Sequence, residues 1–378
     1  MNSKSKSAVA IGGTTKTKAR QPSIRDIASI AGVAPSTVSR VLNRRDTGVK
    51  VTRRTRERIQ DACNRLNYHP NVHARRLFAG RSDTLAVVVP PLSSMPVAPG
   101  GYQDPNLAET LADLTVDASR ASQDLLLVTA DQRFLETRRY VDLFRGRVID
   151  GMLVWGARPT DQEYIQTLVT EAFPIVLLNG HIPAASVPHV VADNRGGAAA
   201  LARRLLDAGH RRIAYIAGPE TARAAVQRHA GVLAALTEAG VELQHNLPGV
   251  FSYECGVELG GSLLDQRTPP TAIMAVNDLV AMGIVEAVIQ RGLKVPEDVS
   301  VTGGDGAFPY YRPALTTFTV PMAEIGQRGL QLLLQLIENP DAWAEWRHAG
   351  RQNVPVQIQP GKTVAPPRRS EAFVPNRG

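Results

Sequence analysis

Cysteine is almost missing from this 378-residue chain: Cys63 and Cys255 are the two, far apart and without metal-ligand spacing. A disulfide framework and a zinc site are therefore not expected, and a reducing compartment such as the cytoplasm fits. No window approaches a membrane span, and residues 1–20 offer only the four-residue apolar stretch AVAI, short of the apolar core of an export signal. Enzyme signatures are lacking as well. There is no P-loop, no Gly-x-Ser-x-Gly and no metal-ligand pair, and the GGDG at 303–306 is not a dinucleotide fingerprint. These absences argue against an enzyme, and neither a cofactor nor a metal is expected.

Acidic residues are scarce at one end. Residues 1–81 hold 18 Lys or Arg against 4 Asp or Glu, a net of +14, whereas the remainder holds 25 against 31, a net of −6. The whole-chain excess of +8 thus belongs to the N-terminal segment, the footprint of a phosphate-neutralising surface. Residues 1–21 read as a disordered basic tail. Most of the other charges fall in patterned helices.

With 43% hydrophobic residues, the chain can bury a large core and divide into two or three domains. Residues 22–68 read as three short helices. Ser23 stands as N-cap with Asp26 three residues on, and Ile24, Ile27, Ala28 and Ala31 follow at helical spacing until Gly32. A second helix starts at Pro35 and places Val38, Val41 and Leu42 on one face. A third begins near Thr52 and buries Ile59, Ala62, Cys63 and Leu66.

From Thr84 the pattern becomes apolar strands alternating with helical segments: TLAVVVP, DLLLVTA, GMLVWG, PIVLLNG, HVVADN, RRIAYIAG, TAIMAVND, DVSVTGGDG and TTFTVP. This alternation implies parallel sheets covered by helices on both faces. Nine strands are many for one open sheet, so two doubly wound halves are expected, with a ligand between them near the carboxyl ends of the strands. The Pro-rich, polar residues 361–378 read as disordered or loosely attached.

The stretch SIRDIASIAGVAPSTVSRVLN, residues 23–43, resembles the helix-turn-helix of the LacI/GalR (lactose-repressor) family. The likeness continues through VTRRTRERIQDACNRLNYHPNVHARRLFAGRSDTLAVVVP to PEDVSVTGGDG and PALTTFTVP, covering residues 22–360. It implies an all-α helix-turn-helix DNA-binding domain (22–68) and a hinge helix with linker (69–83). An α/β periplasmic-binding-protein-like domain (84–360) follows, built of two doubly wound parallel-sheet subdomains, 84–191 with 322–351 and 192–321 with 352–360. It also implies a cytoplasmic bacterial homodimer that reads a pseudo-palindromic double-stranded operator and answers to a small-molecule effector of carbohydrate type.

The family's reading helix lies in the major groove, which puts Pro35, Ser36 and Arg40 toward the bases, with Arg40 suited to a guanine. The resemblance assigns phosphate contacts to Thr37, Ser39 and Asn43, and minor-groove hinge contacts to Leu77, as an inserted wedge, and Ala74. Ala34 stands where the family usually has a capping Ser, so the helix tip is uncapped and poor in donors. Discrimination is then expected to rest on Arg40 and the hinge.

For the effector, Arg228 in AVQRHAGVLAAL matches the family's Arg-x-x-Gly segment, while Asn277, Asp305 and Phe251 match further contacts. Asn179 and Asp193 are strand-end candidates. Each has a plain structural alternative: Asn277 as a helix cap, Asp305 as the organiser of its glycine-rich loop, Asn179 and Asp193 as turn formers. Tyr102 in the long 90–107 loop stands as a further aromatic. Two other readings stay open, a transport solute-binding protein, which would need an export signal, and a regulator activated or co-repressed by a nucleobase.

Overall fold

The computed structural model describes residues 22–42, 51–68, 80–91, 105–182, 186–341, 343, 345 and 351–368. The basic tail 1–21, Asn43, the hinge residues 69–79 with Ala74 and Leu77, Tyr102 and residues 369–378 lie outside the described residues. The chain forms two compact units, 1–80 and 81–378.

The first unit is three helices: α1 (Ile24–Ala31), α2 (Pro35–Leu42) and α3 (Arg53–Arg65). Ser23 and Asp26 form the expected capping box, with Ser23 N donating to Asp26 Oδ2 at 2.7 Å and Asp26 N donating to Ser23 Oγ at 3.4 Å. Gly32 ends α1 in the left-handed conformation at φ 59°, which a residue without Cβ adopts freely. The Arg58 guanidinium reaches from α3 to the Ala31 and Gly32 carbonyls, placing a cation on the carboxyl end of α1. Ile27, Ala28, Ala31, Val38, Ile59, Ala62 and Cys63 make the small core.

The second unit contains twelve strands among the described residues: β1 (Thr84–Val89), β2 (Asp124–Thr129), β3 (Gly151–Trp155), β4 (Ile175–Leu178), β5 (His189–Ala192), β6 (Ile213–Ile216), β7 (His245–Leu247), β8 (Ala272–Ala275), β9 (Ser300–Thr302), β10 (Thr317–Thr319), β11 (Arg351–Val354) and β12 (Gln357–Gln359). Six form one sheet in the order β11-β5-β4-β3-β1-β2, and four form another in the order β7-β6-β8-β9. All neighbours in both sheets are parallel. Strands interior to a sheet, such as β1, β3 and β4, are buried along their whole length, which is why they read as unbroken apolar runs. The edge strand β2 is apolar too, yet Leu127 is exposed.

The chain passes between the two halves three times, at residues 192–194, 319–322 and 354–357. These crossings lie side by side: Asp193 N donates to the Val354 carbonyl at 2.9 Å, and β10 pairs antiparallel with β12. The return strand β11 pairs with β5 through Val354↔Ala192, so residues 352–354 lie in the six-stranded sheet rather than in the second half.

A second expectation is also overturned. Residues 361–368 are not a loose tail: Thr363 is fully buried, its Oγ1 accepting from Thr316 N at 2.8 Å and donating to the Val301 carbonyl at 2.6 Å. The Ala365 carbonyl lies 2.9 Å from His210 Nε2, and Arg368 pairs with Asp298 at 2.6 Å. Polar composition suggested disorder, but here the polar atoms bond the edge of the second half as an added segment. Thr363→Val, which keeps the shape and removes the hydroxyl, leaves the buried Thr316 N–H without its acceptor. Urea denaturation is expected to show a loss of about 1–3 kcal/mol.

Candidate functional site

Arg228 lies in the helix Arg223–Glu238 of the second half and, at 6% exposed, is the buried arginine among the described residues. Its Nε donates to Asn194 Oδ1 at 2.7 Å, and its Nη1 donates to the carbonyls of Val276 (2.9 Å) and Gly304 (2.6 Å). The guanidinium carbon sits 5.2 Å over the Phe318 ring, and Asp305 Oδ2 is 3.9 Å from Nη1. Among the described residues Nη2 makes no hydrogen bond. One side chain therefore joins the first crossing (Asn194), the ends of β8 and β9, and the strand β10 that leads into the second crossing (Phe318).

The Arg-x-x-Gly spacing has a physical reason. A Cβ built on Gly231, three residues after Arg228, would lie 2.1 Å from the Arg195 carbonyl oxygen. The helix therefore meets the helix Asn194–Asp207 backbone to backbone, which brings the guanidinium within reach of Asn194.

Around Arg228 the structure gathers three of the other expected residues. Asn277 caps the helix Asp278–Gln290, its Oδ1 accepting from Val280 N at 3.0 Å, while its Nδ2 makes no hydrogen bond among the described residues. Asp305 Oδ1 accepts from Ala307 N at 3.3 Å, so it organises its loop while facing Arg228. The Phe251 ring packs on Gly218, where a Cβ would come 2.9 Å from its Cε1, next to Val276 at the end of β8.

The other two expected residues sit differently. Asp193 turns back to cap the helix Asn194–Asp207, accepting from Gly196 N at 3.0 Å, and its neighbour Asn194 holds Arg228 instead. Asn179, left-handed at φ 49°, follows β4 and lines a small cavity of about 20 Å³ with His181, Asn194, Arg223 and Arg351.

Sequence reasoning missed Asn194 and Asp278. Asp278 is 1% exposed and accepts from Gly304 N (2.8 Å) and Thr317 Oγ1 (2.5 Å), which fixes the carbonyl that Arg228 uses. Burial pushes its carboxyl above the usual range, against the pull of Thr317, the Gly304 N–H and Arg228. The signal was present: Asn194 heads the apolar stripe of Gly197, Ala198 and Leu201, where a polar residue must have a buried partner.

In the first unit, Val38 anchors α2 in the core, and Ala34, Pro35 and Ser36 at the helix start are exposed. Thr37 N and Val38 N donate to the Ala34 carbonyl at 2.9 and 3.2 Å, and the Ala34 methyl offers no capping oxygen. Thr37, Ser39 and Arg40 are partly exposed.

Residues 23–71 match the profile of bacterial regulatory proteins of the lacI family, and residues 202–364 match the periplasmic binding protein-like domain. The Escherichia coli (strain K12) transcriptional repressor CytR is 32% identical over 83% of this chain and 89% of its own length. The chain belongs to the lacI family. The lac repressor dimer bound to operator and the anti-inducer ONPF superposes on this LacI-family chain with TM-score 0.76 at 25% identity, over 92% of this chain and all of that one. The regulator CelR in complex with cellobiose does so with TM-score 0.63 at 29% identity, over 90% and 99% of the two chains. The fold is thus a helix-turn-helix domain joined to a periplasmic-binding-protein-like domain of parallel sheets, as expected from the sequence. No helix among the described residues is long and apolar enough to cross a membrane.

The imidazoles of this regulator carry a pH dependence. Burial, with the His189 ring and the Arg223 and Arg351 guanidiniums nearby, lowers His181 to about 4, and burial also lowers His189, His210 and His229. The unfolded chain takes up protons on these rings below about pH 6.5, whereas the folded protein resists protonation until lower pH. Their stabilising contribution is therefore complete above that value and is lost as the pH falls toward 4. The urea midpoint should be lower at pH 5 than at pH 7.5, and His181→Gln should narrow the difference. Equal midpoints would contradict the assignment.

Proposed function

We propose that this LacI-family protein is a cytoplasmic homodimeric repressor of transcription. It reads a pseudo-palindromic operator with α2 of each protomer and is controlled by a sugar or sugar derivative bound in the cleft between the two halves of its larger unit. The observation that carries the effector reading is the Arg228 guanidinium, buried and held by Asn194 and two carbonyls with Nη2 left over; one of those carbonyls belongs to Val276, which precedes Asn277 and packs at Gly218 together with the Phe251 ring. Such a set suits a hydroxyl-rich ring: a donor fork, an amide and an apolar face. Arg228, Asp305, Asn277 and Phe251 form this set, with Asn179 at its first-half edge. An effector that prefers the operator-bound state acts as co-repressor, and one that prefers the free state acts as inducer.

For the reading head, Pro35, Ser36 and Arg40 face the bases, Thr37, Ser39 and Asn43 face phosphates, and Leu77 with Ala74 forms the minor-groove hinge. The net +14 of residues 1–81 supplies the salt-dependent attraction. Because the tip of α2 has neither cap nor strong donors, Arg40 carries most of the direct readout there. Arg40→Ala is expected to cost about 1–3 kcal/mol on the cognate operator and much less on random DNA, measured by fluorescence anisotropy at fixed salt. A uniform loss on both would make Arg40 a phosphate contact.

The cleft is tested by titrating operator binding against sugars, sugar acids and nucleobases. Arg228→Ala and Asp305→Ala should abolish the response to whichever compound acts on the wild type. A response that survives both substitutions removes the effector from this cleft.

A further inference from the structure

Next to Arg228, on the side of the first and third crossings, the structure collects positive charge without a carboxylate to balance it. Arg223, in the first turn of its helix, and Arg351, at the start of β11, both line the small cavity with His181 and Asn194. Arg351 Nε donates to Asn353 Oδ1 at 2.8 Å, and neither arginine has an acidic partner among the described residues. The His181 and His189 rings lie against each other tilted by 39°, with ring centroids 4.5 Å apart. His181 Nδ1 and His189 Nε2 are buried without a hydrogen-bond partner among the described residues, and His189 is 6% exposed. The charged neighbours that act on both rings are all cations.

Arg351 is exposed and Arg223 half-buried, so water solvates part of their charge, but the buried ring nitrogens without partners and the lack of an acidic neighbour among the described residues leave this wall suited to an anion. Two guanidinium groups suit an oxyanion, and a cavity of about 20 Å³ has room for a group little larger than one water, which favours a planar carboxylate over a tetrahedral phosphoryl group. Asn194 belongs to both places: it lines this cavity and accepts from Arg228. A ligand ring beside Arg228, Asn277 and Phe251 would therefore have its acidic substituent at a shared wall.

We propose that the effector of this regulator is a sugar acid whose carboxylate sits between Arg223 and Arg351 beside His181. The proposal rests on the cleft being the effector site, and it adds the charge and chemical class of the ligand. Arg223 and Arg351 then select for the anion, while Arg228 and Asp305 hold the hydroxyl-bearing ring.

The test uses full-length protein at constant ionic strength, with thermal melting and operator anisotropy read in parallel. The probes are glucuronate, galacturonate and gluconate, the neutral parents glucose and galactose, glucose 6-phosphate, and inorganic phosphate. At least one sugar acid is expected to raise the melting point and change operator affinity while its neutral parent does neither. Arg223→Gln combined with Arg351→Gln should weaken that sugar acid about tenfold or more, and the Lys versions should restore part of the loss. The ligand-free melting point of each variant shows whether it is folded.

A neutral sugar that acts through Arg228 and is indifferent to the Arg223 and Arg351 substitutions would overturn the anionic effector and leave the effector cleft standing. A response to glucose 6-phosphate but to no sugar acid would overturn the carboxylate. A sugar acid whose effect persists in the double Gln variant, or inorganic phosphate binding with no effect on the operator and no sugar acid acting, would overturn the proposal.

Discussion

A guanidinium cannot lose its charge inside a protein, so one that is buried dictates the position of everything able to solvate it. Arg228 is that group here. Its partners are supplied by four places remote in sequence: Asn194 after β5, Val276 after β8, Gly304 after β9 and Phe318 on β10. Meeting that demand fixes the ends of three strands, the first crossing and the strand that enters the second crossing relative to one helix. Gly231 makes it possible by letting that helix touch the backbone of its neighbour.

The same constraint explains why acids appear where they do. Asp278 does not touch Arg228; it holds the Gly304 N–H so that the Gly304 carbonyl faces the guanidinium. Asp305 stands 3.9 Å away, too far for a hydrogen bond to Nη1, and its backbone N–H donates to Thr317 Oγ1 at 3.3 Å. Charge is thus balanced through dipoles and a near carboxylate rather than a tight ion pair. This arrangement leaves part of the guanidinium fork unused by the protein.

The helical unit works with simpler means. Its core is seven small or medium side chains, so local devices matter in proportion: the Ser23–Asp26 box, the Thr52 cap on α3 and the Arg58 bridge to the end of α1. The start of α2 lacks such a device, and its exposed residues Ala34, Pro35 and Ser36 are bound to the unit through the helix, whose Val38 is buried and whose Val41 and Leu42 pack against the core, and through Val33 before it.

Read alone, the sequence determined the three helices with the Ser23 cap of the first, the nine apolar strands, the segregation of positive charge into residues 1–81 and the Arg-x-x-Gly pair, because each is written in local periodicity or composition. The tertiary structure decided what depends on partners far along the chain. It made β7, β11 and β12 strands although they are short and polar, since edge strands need a neighbour's hydrogen bonds more than an apolar run. It ordered Thr363 and Ala365 against the second half, and gave Asn194 the role that Asp193 had suggested. It also brought His181, Arg223 and Arg351 to one cavity from three elements. No local pattern encodes such a meeting, because it is set by which loops the parallel sheets deliver to their carboxyl ends.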